Sequence, residues 1–157
     1  MSLFVLIYKS QRVGKDGVTF WLYKFRSMRN EPGSHSTSYD DPRITKIGRF
    51  LRRYKIDELP QIWNILRGDM DVIGPRPTIP VVIDSLDEHS RNIILSVKPG
   101  LIDLGSLWNP HEEETLKGSK DPHGKFMKDI YPEIVRLQIK GIQERSFMGD
   151  VKIIFKN

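Results

Sequence analysis

The apolar residues of this sequence occur only in short runs, and this limits what the chain can fold into. The longest runs, such as residues 4–8 and 79–83, are about five residues long. A helix that crosses a bilayer needs about 20 mostly apolar residues, so the sequence predicts no membrane-spanning segment. The 157 residues include no Cys, which excludes disulfides, thiolate metal sites and thiol catalysis. We therefore expect one domain of short elements around an apolar core.

A β-hairpin is predicted at the N-terminal end. Two runs rich in β-branched and aromatic residues, 3–8 and 18–25, flank the polar segment 11–17, which ends in Asp-Gly. Asp-Gly favours the tight turn that joins antiparallel strands. Residues 29–40 are rich in loop-forming residues and predict a loop.

Two amphipathic helices are predicted next. Asp41-Pro42 is typical of a helix start, with Asp41 as N-cap and Pro42 in the first turn. The apolar residues that follow recur at helical spacing, at Ile44, Ile47, Phe50, Leu51 and Tyr54. A second pattern begins near Asp57-Glu58, ends at Gly68 and places its apolar residues at Leu59, Ile62, Trp63 and Leu66. We expect Trp63 to lie in the core or in an interface.

The second half of the sequence is predicted to be mainly helical. Residues 79–96 favour helix up to the break at Lys98-Pro99-Gly100, and residues 101–124 are irregular around the acidic run Glu112-Glu113-Glu114. A long helix is expected over 127–145 and a short amphipathic segment over 147–155. The predicted fold class is α+β and predominantly helical, with a small N-terminal β-hairpin and amphipathic helices.

Positive charge is concentrated near the start of the chain. Residues 1–55 carry 12 Lys and Arg against 4 Asp and Glu, whereas residues 56–157 carry 13 against 16. A basic segment of this kind indicates a polyanionic partner, either nucleic acid, a phosphorylated ligand or an anionic membrane surface. The alternative is a basic face that only contacts solvent.

Asp57 and Glu58 are the strongest candidates for chemistry. Carboxylates at a helix start are stabilised by free N–H groups, so the simplest interpretation is that Asp57 caps the second helix. The surrounding cations favour another: Arg49 and Arg52 precede the pair, and Arg76 follows in the stiff loop 74–77. A carboxylate among guanidinium groups can hold Mg²⁺, or attack a phosphorus whose charge the cations offset. Such cations, together with helix N–H groups, should also favour the ionised form of Asp57.

Further phosphate contacts are predicted at the end of the second strand. Lys24 and Arg26 alternate there with apolar residues, a pattern that fits either a phosphate-binding strand end or an exposed sheet edge. Other kinds of site lack support. The histidines share no ligand spacing, and no P-loop, dinucleotide-binding or hydrolase motif occurs.

Several short motifs in one order resemble the bacterial sugar transferase family, the monotopic polyprenyl-phosphate phosphoglycosyl transferases. They are Lys-Phe-Arg-Ser-Met at 24–28, Asp-Pro-Arg-Ile-Thr at 41–45, Gly-Arg-Phe-Leu-Arg-Arg at 48–53, Asp-Glu-Leu-Pro-Gln at 57–61, Gly-Asp-Met at 68–70 and Ile-Gly-Pro-Arg-Pro at 73–77. Each motif alone is weak, but their order is specific and the resemblance covers nearly the whole chain.

The resemblance implies a reaction and roles for individual residues. Such enzymes move a sugar 1-phosphate from a nucleotide sugar, usually a UDP-sugar, to a polyprenyl phosphate, which initiates surface glycan synthesis. Asp57 would be the covalent nucleophile, and Glu58 would be associated with Mg²⁺. Arg76 would bind phosphate, and Arg52 and Lys24 would act similarly.

The resemblance also carries an expectation about membrane attachment. Family members have an apolar membrane-inserting hairpin before the segment that resembles residues 4–14, so this chain is expected to be a single catalytic domain, 1–157, that lacks the hairpin. The family implies the cytoplasmic face of the bacterial inner membrane, although the chain itself could be soluble. Two departures concern the site: Asp71 replaces a small hydroxyl residue, and residues 100–103 replace a Gly-Ile-Thr segment, with loss of any hydroxyl contact.

Alternatives remain open for the basic amphipathic helix over 44–55. It and the 147–155 segment could lie on an anionic membrane surface, or their apolar faces could pack inside the domain. Residues 42–67 could also form a helix-turn-helix-like nucleic-acid-binding module. No nucleic acid partner is expected, however, because the acidic pair falls in the turn and the second helix is mostly apolar. An inactive membrane-associated scaffold is the third possibility.

Overall fold

The predicted hairpin is confirmed, with a longer first strand. The computed structural model describes residues 6–156, so residues 3–5 of the predicted strand lie outside the described part. Strands β1 (Ile7–Val13) and β2 (Thr19–Phe25) pair antiparallel, with Ile7 opposite Phe25. The prediction that the loop begins at residue 11 is wrong, because residues 11–13 continue the pairing with β2 and Val13 N–H also donates to Thr78 O at 3.0 Å.

The first helix starts later than predicted. Helix α1 covers Lys46–Arg53, and its N-cap is Thr45, whose hydroxyl accepts the Gly48 N–H at 2.9 Å. The prediction of Asp41 as N-cap is wrong. The Asp41 carboxylate instead accepts two hydrogen bonds from Arg43, one from the backbone N–H at 2.9 Å and one from the guanidinium at 2.7 Å. The charged guanidinium of Arg43 therefore binds this carboxylate more strongly than the free N–H groups of a helix start would.

Helix α2 covers Gln61–Leu66, and a 3₁₀ turn, Ile56–Glu58, separates it from α1. The chain leaves α2 through Gly68, which has a left-handed backbone (φ +80°) as the predicted helix end requires. Trp63 is 57% exposed, so it does not lie in the core of the domain.

A second sheet, which the sequence did not predict, holds the segment after α2. Strand β3 (Asp71–Ile73) pairs parallel with β4 (Gly100–Ile102), Asp71 lying opposite Gly100. Strands of three residues are too short to show a period of two. The predicted helical region 79–96 is present as two helices, α3 (Pro80–Ile83) and α4 (Glu88–Leu95).

The remaining elements are helical. The segment 101–124, predicted to be irregular, contains three short helices: α5 (Leu104–Trp108), α6 (Glu112–Thr115) and α7 (Pro122–Lys125). The predicted long helix consists of a π turn, Phe126–Ile130, followed by α8 (Tyr131–Gln143), and α9 covers Phe147–Lys156. No helix within residues 6–156 combines the length and the apolar character that crossing a membrane requires.

The apolar core lies between the end of the hairpin and the C-terminal helices. Its buried members come from β1, α3, α4 and α8 and are Val13, Val82, Ile83, Ile94, Tyr131 and Val135. A smaller cluster of Leu116, Ile130 and Ile134 lies next to α6. The mixture of a small hairpin and many short helices confirms the predicted α+β fold class.

Candidate active site

Asp57 lies in the 3₁₀ turn between α1 and α2. The turn follows Lys55, whose backbone is left-handed (φ +54°), a conformation that costs a residue with a side chain about 1 kcal/mol. Asp57 is 5% exposed, and no hydrogen bond to its carboxylate is found within the described residues. It caps neither the turn nor α2, so the helix-cap interpretation is wrong.

Glu58 joins two distant parts of the chain. Its Oε1 accepts Lys24 Nζ, from the end of β2, at 2.8 Å and Arg76 Nη2, from the loop after β3, at 2.6 Å. The Glu58 side chain is only 12% exposed. Two charge-assisted contacts to one shielded carboxylate fix the hairpin and the Arg76 loop against the turn that holds Asp57.

Arg52 forms a second ion pair beside this site. Its guanidinium pairs with Glu113 of α6, the Nε contact being 2.7 Å, and Nη1 lies 3.3 Å from Ser27 Oγ. Sequence reasoning missed Glu113 because the acidic run lay in a segment predicted to be irregular. The negative charge of the run indicated that it could pair with a cation. The local sequence did not indicate that this cation is Arg52.

The two neighbouring carboxyl groups differ in their pKa. Burial alone would raise the pKa of Glu58, but Arg76 and Lys24 outweigh it and hold that pKa well below its usual range. Burial raises the pKa of Asp57, and the opposing effect of Lys24 does not cancel it. The expectation that nearby cations favour ionised Asp57 is confirmed, since Lys24, Arg52 and Arg76 each act to lower its pKa, although the effect of burial is larger. The expected contribution of helix N–H groups is wrong, because no hydrogen bond to this carboxylate is found within the described residues.

The loop that carries Arg76 is held by backbone contacts to the β3–β4 sheet. Gly74 N–H donates to Ile102 O at 3.1 Å, and Gly100 N–H donates to Pro75 O at 2.9 Å. Pairing with the Glu58 carboxylate raises the pKa of Arg76, which stays cationic. The structure thus brings together five of the predicted site residues: Lys24, Arg52, Asp57, Glu58 and Arg76.

The sequence of residues 2–157 matches the family model described as bacterial sugar transferase. The chain belongs to this family. It is 41% identical to a UDP-N-acetylgalactosamine-undecaprenyl-phosphate N-acetylgalactosaminephosphotransferase of Aeromonas hydrophila, over 96% of this chain and 34% of that protein. It is 35% identical to a galactosyl transferase of Streptococcus agalactiae, over 94% of this chain and 32% of that protein.

A third relative is the UDP-glucose:undecaprenyl-phosphate glucose-1-phosphate transferase of Escherichia coli. The identity is 33%, over 96% of this chain and 31% of that protein. The chain thus spans about a third of the length of these curated relatives. The family match, residues 2–157, includes every residue of the candidate site described above.

Two of the predicted site residues lie apart from the acidic pair. Arg26 is exposed, and its backbone N–H donates to Leu6 O at 2.6 Å. Arg49 is exposed on α1, with its guanidinium over the Tyr39 ring at 5.2 Å. Within residues 6–156 neither side chain pairs with Asp57 or Glu58, and their phosphate-binding roles stay predictions.

Arg12 is a further cation at the site that sequence reasoning missed. Opposite residues of an antiparallel pair share a face, so Arg12, opposite Phe20, lies on the same hairpin face as Lys24. Burial lowers the pKa of Arg12, and Arg76 is close enough to lower it further. In the described part of the chain no carboxylate pairs with it. Arg12 was missed because residues 11–17 were predicted to form a loop. Side chains alternate between two faces only in a strand, so the prediction did not place Arg12 on the face that carries Lys24.

The carboxylates of the site suit Mg²⁺. No cluster of three or more His, Asp or Glu side chains lies within the described residues. Mg²⁺ needs no such cluster, since one or two carboxylates together with substrate phosphates and water suffice. Both cations contact Oε1 of Glu58, which leaves Oε2 and the Asp57 carboxylate as oxygen donors. The residues present therefore fit the ion that the sequence predicted.

Proposed function

We propose that this chain transfers a sugar 1-phosphate from a UDP-sugar to a polyprenyl phosphate, with Asp57 as the covalent nucleophile. The observation that carries the proposal is the Asp57 carboxylate, buried and without a hydrogen bond within the described residues, next to Lys24, Arg52 and Arg76. A carboxylate that is poorly solvated and faces cations is a reactive nucleophile toward an anionic phosphorus. The activities of the Escherichia coli and Aeromonas hydrophila relatives support this substrate class.

The first step forms the covalent intermediate. A carboxylate oxygen of Asp57 attacks the β-phosphorus of the UDP-sugar, and the bond from that phosphorus to the bridging oxygen breaks. UMP leaves with the bond's electron pair, and the sugar 1-phosphate remains esterified to Asp57. In-line attack of this kind needs positioning and charge compensation more than acid–base chemistry.

The second step regenerates the enzyme. An oxygen of the polyprenyl phosphate attacks the same phosphorus, the bond to Asp57 breaks, and the carboxylate is restored. The product is a polyprenyl diphosphate sugar, and no proton transfer is required if the acceptor phosphate enters fully ionised. Two displacements at one buried carboxylate avoid bringing both large anionic substrates together at once.

The cations of the site compensate the phosphate charge. Arg76 and Lys24 each donate one hydrogen bond to Glu58. Each retains further N–H donors for phosphate oxygens, since a guanidinium has five and an ammonium has three. Arg12 adds a cation on the same hairpin face. Mg²⁺, held by Glu58 with the donor phosphates, would neutralise charge on the diphosphate and on the leaving UMP.

The proposal is tested without the lipid acceptor. The chain is incubated with Mg²⁺ and a panel of UDP-sugars, and UMP release and intact protein mass are measured. We expect about one UMP per chain and a mass increase equal to one sugar phosphate, mapped to Asp57 by peptide sequencing. The absence of both products with every UDP-sugar would overturn the proposal and favour an inactive scaffold.

The pH dependence of intermediate formation follows from the raised pKa of Asp57. Only the carboxylate attacks, so the rate should fall as pH is lowered, with its midpoint above the ordinary Asp value of about 3.9. Glu58, whose pKa is held low, stays ionised over this range. Adduct formation is measured by quenched flow from pH 4 to 8, with circular dichroism as the control for folding. A rate that stays constant from pH 8 down to pH 4 contradicts this prediction.

The exposed face of α1 and α2 supports a membrane surface as the second partner. Ile44 is buried, but Ile47, Phe50 and Tyr54 of the same stripe are more than half exposed, as are Leu59, Trp63 and Leu66 after the turn. The exposed cations Lys46, Arg49 and Arg53 lie on the same helix. Apolar residues beside Lys and Arg suit the interface of an anionic bilayer. We therefore propose that this face docks on the cytoplasmic leaflet of the inner membrane, where the acceptor lipid lies.

Co-sedimentation with vesicles of anionic lipid tests the docking face. We expect binding at low salt that weakens as salt is raised. The double variant Ile47→Ser/Phe50→Ser should bind at least about tenfold more weakly, because it removes two side chains worth about 1.5–3 kcal/mol each when buried. Val18→Ser, at an equally exposed residue of the hairpin, is the matched control. No vesicle binding at low salt, or salt-dependent binding to duplex DNA instead, contradicts the proposal.

A further inference from the structure

Asp103 is a buried carboxylate that the proposed reaction does not use. It lies at the start of α5 and is 6% exposed. Its Oδ1 accepts Ser106 N–H at 2.6 Å, and its Oδ2 accepts two donors, Arg76 N–H at 2.9 Å and Gln138 Nε2 at 2.6 Å. This residue belongs to the segment in which the sequence suggested a lost hydroxyl contact. The structure instead gives the segment a carboxylate whose two oxygens are both engaged.

Helix capping accounts for only half of these contacts. Oδ1 caps α5, and Ser106 Oγ completes the capping box by accepting Asp103 N–H at 3.1 Å. Ser, Thr or Asn would cap a helix equally well. The second oxygen faces away from α5 and toward Arg76 and Gln138, so a carboxylate at this position is explained by these two partners.

The contacts of Asp103 continue from the core to the acidic pair. Gln138, 4% exposed on α8, donates to Asp103, and Asp103 accepts the backbone N–H of Arg76. The guanidinium of Arg76 then pairs with Glu58 at 2.6 Å. Pro75 and Pro77 restrict the backbone on both sides of Arg76, so fixing its N–H fixes the direction in which its side chain leaves the loop.

We propose that Asp103 is a positioning residue that aims the Arg76 guanidinium at Glu58 and the donor diphosphate. Its catalytic consequence rests on the proposed function, whereas its hold on Arg76 does not. Loss of the contact should allow the 74–77 loop to move. A displacement of about 1 Å at a charge-compensating group is enough to lower a rate about 100-fold.

Three variants separate positioning from general stability. Asp103→Asn can keep the cap on Ser106, but it replaces Oδ2 with an amide NH₂ group that cannot accept from Arg76 or Gln138. Asp103→Asn/Gln138→Glu restores a hydrogen bond between positions 103 and 138 and still leaves Arg76 N–H without an acceptor. Gln138→Leu is the control for packing, since it removes the hydrogen bond from α8 and retains the Asp103 contact to Arg76.

Amide hydrogen exchange at Arg76, followed by NMR, is the first measurement. We expect exchange at least tenfold faster in Asp103→Asn and in the double variant, and near the wild-type rate in Gln138→Leu. The second measurement is the rate of adduct formation at saturating and subsaturating UDP-sugar. It should fall at least tenfold in the same two variants, with a raised donor KM, and change less than about threefold in Gln138→Leu.

Each outcome decides the proposal. The proposal is overturned if the Arg76 amide remains protected from exchange in Asp103→Asn. It is also overturned if the double variant forms the adduct at the wild-type rate, since the hydrogen bond between positions 103 and 138 would then be enough for activity. If the wild-type chain forms no adduct with any UDP-sugar, the proposed function fails, and the exchange measurement alone decides whether Asp103 holds Arg76.

Discussion

Asp57→Asn is expected to abolish UMP release and the covalent adduct, with a loss of at least about 10³-fold. A neutral amide cannot replace the carboxylate as nucleophile, and the adjacent carboxylate, that of Glu58, has different surroundings. Glu58 is held in two ion pairs, whereas the Asp57 carboxylate has no hydrogen bond within residues 6–156. The measurement is single-turnover UMP release together with the intact mass of the protein.

The same variant should fold normally, which separates catalysis from stability. The pKa of Asp57 is raised in the folded state, so its charge opposes folding once pH exceeds the unfolded value of about 3.9. Asp57→Asn should therefore be as stable as wild type or more stable at pH 7. This difference in stability should shrink as pH falls from above the raised pKa of folded Asp57 to the unfolded value. Thermal unfolding at pH 4 and 7 measures it.

Asp84→Asn is the matched control for this substitution. Asp84 is a carboxylate with a 72% exposed side chain and a single long contact to Arg91 at 3.9 Å. We expect wild-type rates of UMP release and an unchanged unfolding temperature in this variant. Normal turnover by Asp57→Asn would exclude Asp57 as the nucleophile.

Gly48→Ala should be the most destabilising of the glycine-to-alanine substitutions in the helices of this domain. A Cβ at Gly48 would lie 1.8 Å from the backbone oxygen of Ser27, so α1 would have to move away from the segment after β2. Overpacking of this kind costs about 2–4 kcal/mol, which corresponds to a decrease in Tm of roughly 4–16 °C for a domain of this size. The displacement also carries Arg52 away from Ser27 and Glu113.

Gly141→Ala is the control, with an effect of opposite sign. Gly141 lies within α8, and its added Cβ would meet Leu104 Cδ1 at 3.4 Å, an ordinary contact. Replacing a helical Gly with Ala should stabilise the domain by about 0.5–1 kcal/mol. Calorimetry on both variants gives the comparison. Equal melting temperatures for the two would show that α1 does not pack against Ser27 as described.

Local pattern predicted much of the first half of the molecule. The Asp-Gly turn located the hairpin, since Asp16 and Gly17 have the left-handed backbone that this dipeptide favours. Gly68 located the end of α2 for the same reason. The start of α1 was mistaken because Asp41 and Thr45 are both good caps, and the choice depended on where the Arg43 side chain goes.

The candidate site was found in part because its cations and carboxylates fall in short motifs of recognisable order. The contacts between them were beyond local reasoning. Glu58 meets Lys24 and Arg76, which are 34 and 18 residues away, and Arg52 meets Glu113 at a separation of 61. Arg12 and Asp103 were missed because each acts through partners that only the strand register and the packing of α8 bring near.

The sequence by itself determined which chemical groups are available and which local elements carry them. It also established the resemblance to the sugar transferase family. Only the tertiary structure decided the environment of those groups, because desolvation and ion pairing depend on residues far apart in the chain. Asp57 illustrates the difference: cations of the site favour its charged form, but folding buries the carboxylate, which has no hydrogen bond within the described residues, and burial raises the pKa. Glu58, the next residue, obtains two cations from distant segments, and its pKa is lowered.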